Sequence, residues 1–333
     1  MNIVSRRRRG VTLVELLVAV TITLALAALL LSVTQGTLSL WDRAQDALTA
    51  DTQAKLTLDS LERDLQSALF RENGGTWLAV DVISLPGQLL GHGWRTTGTI
   101  KPSGTESHEL LPPPVDGVPS TVGRARFGLS GAWIRFLTTN VESKSASNPG
   151  GSQPVAVSYQ IARRPLSGSI AATNPATVRY SLFRSAVAND TTLATGLDLL
   201  APGYGSSTSA FPGARSARSM TNPNTADAIA SNVVDFGVWL YVRSNSHDLE
   251  RIFPTASGDT THAASNRAEF PEVIDVMLRV LTEEGAKMIE SIEAGNGSIV
   301  RPLGITDAEW WWTVVEANSR LYVRRIQVRG GPR

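Results

Sequence analysis

Residues 13 to 33 form an apolar run of 21 residues in which Glu15 is the only ionisable side chain. As a helix rising about 1.5 Å per residue, the run is roughly 30 Å long, the thickness of a bilayer's hydrocarbon core. No other stretch constrains the chain as strongly, because a segment this apolar must sit in lipid or be removed. Arg6, Arg7, Arg8 and Arg9 stand directly before it. A basic block on that side holds the amino terminus in the cytoplasm, which predicts a single crossing with everything after about residue 35 beyond the membrane.

A secretory signal has the same outline, and Ala25-Leu26-Ala27 offers a small-x-small cleavage site. Cleavage there would leave Leu29, Leu30 and Leu31 at the new terminus, and the run continues into helix-compatible sequence without a turn or proline. Glu15 also argues against a plain signal or anchor, since a carboxylate in hydrocarbon costs several kcal/mol unless neutralised or paired.

The stretch from Arg9 through Gly10, Val11, Thr12, Leu13, Val14 and Glu15 to Leu16 and Leu17 resembles the cleavage and methylation motif of type IV pilins and type II secretion pseudopilins. The resemblance implies a prepilin peptidase that cuts after Gly10 and methylates the new amine on Val11, where the family usually has Phe. It makes Glu15 the acidic fifth residue of the mature chain, with Thr12 in register beside it. A terminal amine of a neighbouring subunit can then pair with Glu15 inside the lipid, rewarding the correct axial stagger and penalising isolated insertion.

The organisation expected is a leader at 1–10, a transmembrane helix at 11–35, an amphipathic continuation at 36–71 and a β-rich globular domain at 72–333. No proline occurs before residue 86, and Gly36 is the one helix-weakening residue between Val11 and about Arg71. Such a helix would be on the order of 90 Å long, with Gly36 a candidate hinge where it leaves the bilayer. Past Gly36, Ala47, Ala50, Ala54, Leu58, Leu61, Leu65 and Ala68 recur at three- and four-residue spacing, a stripe suited to packing on a sheet. Asp51, Asp59, Glu62 and Asp64 fall off that stripe and fit a solvated face. Leu61-Glu62-Arg63-Asp64-Leu65 is similar to the end of the first helix in J-type minor pseudopilins, where an Arg-Asp pair precedes the first strand.

Strand signals cover Trp77 to Leu85, Arg124 to Thr138, Val155 to Arg163, Thr177 to Ser185, Val233 to Arg243, Val273 to Leu281 and Leu321 to Val328. Gly-, Ser-, Pro- and Asn-rich loops separate them at about 86 to 123, 139 to 154, 186 to 231 and 244 to 270. Two further helices are expected, Glu283 to Glu293 and one opened by the capping box Thr306-Asp307-Ala308-Glu309. The fold class is therefore α+β and pilin-like: a long N-terminal helix, half transmembrane and half amphipathic, packed on antiparallel sheet with long loops. The last 60 or so residues resemble pilin-like proteins encoded in gene cassettes of Verrucomicrobia and their relatives.

Composition narrows the chemistry. The chain has no cysteine, which excludes disulfides, thiolate metal sites and a cysteine nucleophile. Net charge is +1, and setting aside Arg6 to Arg9 lowers the 31 basic residues to 27 against 30 acidic, so no nucleic-acid surface is indicated. His92, His108, His247 and His262 lie in loop-like stretches, and no zincin, P-loop, dinucleotide or Gly-x-Ser-x-Gly spacing occurs. No catalytic, cofactor or metal residues are assigned, and an enzyme is not expected. Of Trp310, Trp311 and Trp312, about 100° apart on a helix, two are expected in the core and one exposed. Arg320, Arg324, Arg325 and Arg329 fit a solvated strand face, or else a site for an acidic partner.

The function expected is that of a minor pilin or pseudopilin, a structural subunit of a type IV pilus-like or type II secretion filament serving protein transport. Its partners would be other pilin-like subunits, the prepilin peptidase and inner-membrane lipid, and its body would be periplasmic. The competing expectation is a tethered binding module at a filament tip that recognises an exported protein or a surface ligand.

Overall fold

In the computed structural model the described residues are 12–82, 131–139, 153–165, 178–205, 220, 223, 225–244, 248–255, 259, 261–293, 300–305 and 307–329. The chain divides into two compact units, residues 1–49 and 50–333. Helix α1, Leu13–Gln66, is continuous and contributes to both. Gly36 produces no break in it, and a side chain there would meet nothing within 4 Å.

The first unit is helix alone among its described residues. Its large apolar side chains are exposed all round, from Leu13 at 81% to Trp41 at 69%. The helix is long and apolar enough to cross a membrane. Its threonine hydroxyls along the apolar run are satisfied internally: Thr21 donates to the Val18 carbonyl (2.9 Å), Thr23 to Ala19 (2.8 Å), Thr34 to Leu30 (2.8 Å) and Thr37 to Val33 (2.9 Å). Bonded in this way, they cost little to place in a solvent that offers no hydrogen bonds.

The second unit opens with the amphipathic end of α1. Ala50, Ala54, Leu58, Leu61 and Leu65 are all buried, as the stripe predicts. The helix stops at Gln66 rather than continuing to residue 71, because the chain there begins to pair with a strand. The Leu69 amide donates to the Leu137 carbonyl (2.7 Å), the Thr139 amide donates to Ser67 (3.2 Å), and Ala68 bridges Thr138.

The strands in order are β1 (Leu78–Val82), β2 (Ala132–Thr138), β3 (Val155–Pro165), β4 (Val178–Ala186), β5 (Ala228–Ser231), β6 (Val233–Arg243), β7 (Leu249–Phe253), β8 (Thr261–Ala264), β9 (Val273–Leu281) and β10 (Ser319–Gln327). Helix α2 (Asn189–Thr195) follows β4, and α3 (Glu283–Glu293) and α4 (Asp307–Ala317) lie between β9 and β10. The strands form two antiparallel sheets, one ordered β5-β4-β3-β2-β1-β8 and the other β10-β9-β6-β7. Three strands, β5, β7 and β8, thus lie in stretches that read as loop in the sequence, and α2 is a further addition. Residues 83–130, including the end of the first expected strand, all of the first long loop and the start of the second expected strand, lie outside the described residues, as does Thr306 of the expected capping box.

One core joins the elements. Leu58, Leu61 and Leu65 of α1 share a buried cluster with Phe136 and Tyr159 of the first sheet and Val238 and Leu278 of the second. The sheets touch closely at Gly131, whose φ is +72° and where an added Cβ would stand 2.5 Å from the Phe236 carbonyl oxygen of β6. Only glycine meets both demands without strain. The other face of the first sheet is also covered, so small and polar residues fit there: Ser158 and Gln160 both donate to the Met220 carbonyl, at 3.1 and 2.7 Å. Trp311 and Trp312 are buried, while Trp310 is half-buried against the core rather than exposed.

Candidate functional site

At the start of α1, the Thr12 amide and hydroxyl both donate to Oε2 of Glu15 (3.0 and 3.1 Å), and the Glu15 amide donates to Oγ1 of Thr12 (3.2 Å). This is a reciprocal capping box: the N-terminal turn of a helix leaves amides without partners, and Thr at the cap with Glu three residues on satisfies two of them. The Thr-x-x-Glu spacing announces it, and it adds an intrachain role to the intersubunit one expected of these residues. Glu15 therefore has an intramolecular use that a simple anchor can share. The structure brings together Thr12 and Glu15 of the expected site, whereas Gly10, Val11 and Arg6 to Arg9 lie outside the described residues.

In the last turn of α1, within the globular unit, a different carboxylate governs its attachment. Asp64 is fully buried, against the solvated position expected for it. Arg184 of β4 grips it with two hydrogen bonds, Nε to Oδ2 at 2.7 Å and Nη2 to Oδ1 at 3.1 Å, and the Tyr159 hydroxyl of β3 donates to Oδ2 at 2.6 Å. The Asp64 carbonyl accepts a bond from the Thr138 hydroxyl of β2 (2.9 Å). A single helical turn is thus fastened to three adjacent strands. Burial and then the Asp64 charge push the Tyr159 hydroxyl well above its ordinary pKa. Burial alone would lower that of Arg184, but its bonds to Asp64 and the neighbouring charges outweigh this and raise it.

On another flank of this part of α1, β10 supplies a row of cations. Arg320 reaches both carboxylate oxygens of Asp51 (3.1 and 3.0 Å), and Tyr322 donates to the same carboxylate. Arg324 bonds Asp59, and Glu62 at 3.1 Å. Arg325 instead holds Asp275 of β9 through two bonds of 2.7 Å. Three of the four arginines read as a solvated face or an acidic-partner site therefore have carboxylate partners within the chain. The Tyr322 hydroxyl holds Asp51 below the usual carboxylate range, and burial with the Asp51 charge pushes Tyr322 up to about 12. The helix faces β10 with Asp51, Asp59 and Glu62, all three of them residues of the expected charged face.

His262 is not in a loop but in β8, where its Nε2 lies 2.8 Å from the Glu269 carbonyl and burial lowers its pKa. Among the described residues, no group of three His, Asp or Glu side chains is placed to hold a metal ion.

Comparison with known proteins gives one match: residues 5–31 fit the family model described as the prokaryotic N-terminal methylation motif. The match spans less than a tenth of the chain and includes the basic block, Gly10, Val11 and the capping box. It supports a pilin-type protein that a prepilin peptidase processes and that assembles with other pilin subunits. The long apolar helix fits the single-pass membrane anchor of such a protein. No curated protein and no solved structure matches the chain.

Proposed function

We propose that this chain is a minor pilin or pseudopilin, cleaved after Gly10, N-methylated on Val11, held in the inner membrane with its body in the periplasm, and built through its helix into a short filament of a secretion or pilus system. The observation that carries this is the methylation motif at residues 5–31 opening directly into the unbroken helix Leu13–Gln66. A filament subunit needs a helix that serves lipid at one end and a folded body at the other, and the Asp64 attachment provides the second link. The minor role is favoured by bulk, since a major subunit repeats densely along a filament and the globular unit here runs from 50 to 333. The role is structural, with no catalysis assigned.

Mass spectrometry of the mature amino terminus tests the processing. Methyl-Val11 is expected, while an intact Met1 or a start at Ala28 would refute the proposal. Co-purification of other pilin-like subunits with the detergent-solubilised chain tests the assembly role, and recovery of exported proteins or glycans in their place would favour a tip-displayed binding module.

A further inference from the structure

Twenty-six residues of continuous helix separate Glu15 from Trp41, roughly 39 Å along the axis at about 1.5 Å per residue. A bilayer's hydrocarbon core is about 30 Å thick, and about 40–45 Å with its headgroup layers. The two side chains are therefore spaced to lie in opposite headgroup layers, each about 4–5 Å outside the hydrocarbon. Between them the sequence has no ionisable residue, and the described large apolar side chains there are exposed all round, as lipid-facing ones must be. Trp41 is 69% exposed on this otherwise unpartnered helix, and tryptophan is the residue that most favours the headgroup level, where its ring is greasy and its N–H is hydrated. In sequence, Asp42 and Arg43 follow it immediately and close the apolar segment.

The competing placement puts Val33 at the outer edge of the hydrocarbon, on the ground that Thr34, Gln35, Thr37 and Ser39 are polar. The structure weakens that ground. Thr34 and Thr37 bond the carbonyls of Leu30 and Val33, and Ser39 bonds that of Gly36 at 2.9 Å, which leaves Gln35 as the one side chain of this stretch with an appreciable cost in lipid. The Val33 placement would hold Trp41 about 12 Å beyond the hydrocarbon and pull Glu15 into it. One placement buries a neutral amide, and the other buries a carboxylate while stranding an exposed indole.

We infer that, in the inserted but unassembled protein, the anchor sits with Trp41 in the outer headgroup layer and Glu15 in the inner one. This rests on the membrane-anchor reading of α1 proposed above. Glu15 is then hydrated and bears no hydrocarbon penalty until the helix is raised. A rise of about 12 Å, eight residues, carries it into the hydrocarbon and lifts Trp41 clear. The penalty expected for isolated insertion accordingly falls on withdrawal, the step at which a neighbour's amine becomes available.

The absence of native cysteine makes the placement measurable. Single-cysteine variants of the full-length chain at Thr23, Ala28, Val33 and Leu38, spin-labelled in vesicles of phosphatidylethanolamine and phosphatidylglycerol, report depth from collisions with oxygen and with an aqueous nickel chelate. The deepest site is expected at Ala28, midway between Glu15 and Trp41, with Leu38 shielded from nickel, and Trp41→Ala is expected to move the deepest site toward Thr23. A deepest site at Thr23 in the parent, or no movement on Trp41→Ala, would overturn the inference. A chain that does not remain with the vesicles would refute the anchor reading itself, which separates the two failures.

Discussion

Replacing Asp64 by Ala should cost the globular unit far more than one surface charge. Asp64 is fully buried, Tyr159 beside it is fully buried, and the Arg184 side chain is only 17% exposed. Removing the carboxylate takes the charged acceptor from both Arg184 and the Tyr159 hydroxyl, and leaves the buried guanidinium with a 3.2 Å bond to the phenol oxygen in its place. Breaking a buried pair in this way typically costs about 3–5 kcal/mol, and the partial access of water to Arg184 places the expectation near the lower end. Urea unfolding of the body released from its apolar segment, followed by tryptophan fluorescence, is the assay. With a denaturant slope of about 3 kcal/mol per molar for a unit of this size, the midpoint should fall by roughly 1 M. A cycle with Arg184→Met isolates the interaction, because the double variant removes both charges. It should recover part of the loss, with a coupling energy of about 2–3 kcal/mol. A midpoint shift under about 0.3 M, or additive single losses, would show that the helix is not held by this carboxylate.

Two further outcomes are expected. Glu15→Gln keeps a side chain that can complete the capping box but removes the charge, whereas Glu15→Ala removes both; both variants should insert into the membrane and both should fail to enter filaments, as followed by fractionation and filament pull-down, and normal assembly of Glu15→Gln would transfer the role of Glu15 from charge to cap. Tyr204 and Tyr322 are both pushed up to about 12, burial being the larger cause, so the stability they contribute is fully present below about pH 10 and is lost as pH rises through about 12; tyrosinate absorbance of the folded body should show these groups still protonated at about pH 11, and titration of all five tyrosines near pH 10 would refute it.

The elements that the sequence reveals are those whose burial is set locally. Helix α1 follows from an apolar run joined to a stripe, and β6 and β9 have the predicted bounds because each is an apolar run ended by a charged or polar residue. By contrast β7 and β8 are five- and four-residue edge strands with exposed residues, and nothing in Leu249-Glu250-Arg251 or Thr261-His262 alternates clearly enough to mark one. Division into two sheets is set by pairings such as β1 with β8 and β6 with β9, which join distant segments and leave no local signal. Asp64 was illegible for a related reason: it stands off the apolar stripe like Asp59 and Glu62, and only the position of Arg184, 120 residues away in sequence, turns it inward. At the amino terminus the same residues carry both the motif and the cap between Thr12 and Glu15, and the Thr-x-x-Glu spacing is the local signal of the cap.

The Asp64 attachment also has a mechanical meaning. A subunit drawn from a membrane is pulled along its helix, so tension reaching residue 50 must pass into the sheets through whatever binds the last four turns of α1. Asp51, Asp59, Glu62 and Asp64 are distributed along those turns, each bonded to a strand. A load applied along the axis therefore shears these bonds together instead of peeling them one after another. Buried at the far end, Asp64 is the one of the four that water can least replace, and it acts as the stop that keeps the rod from sliding out of its socket.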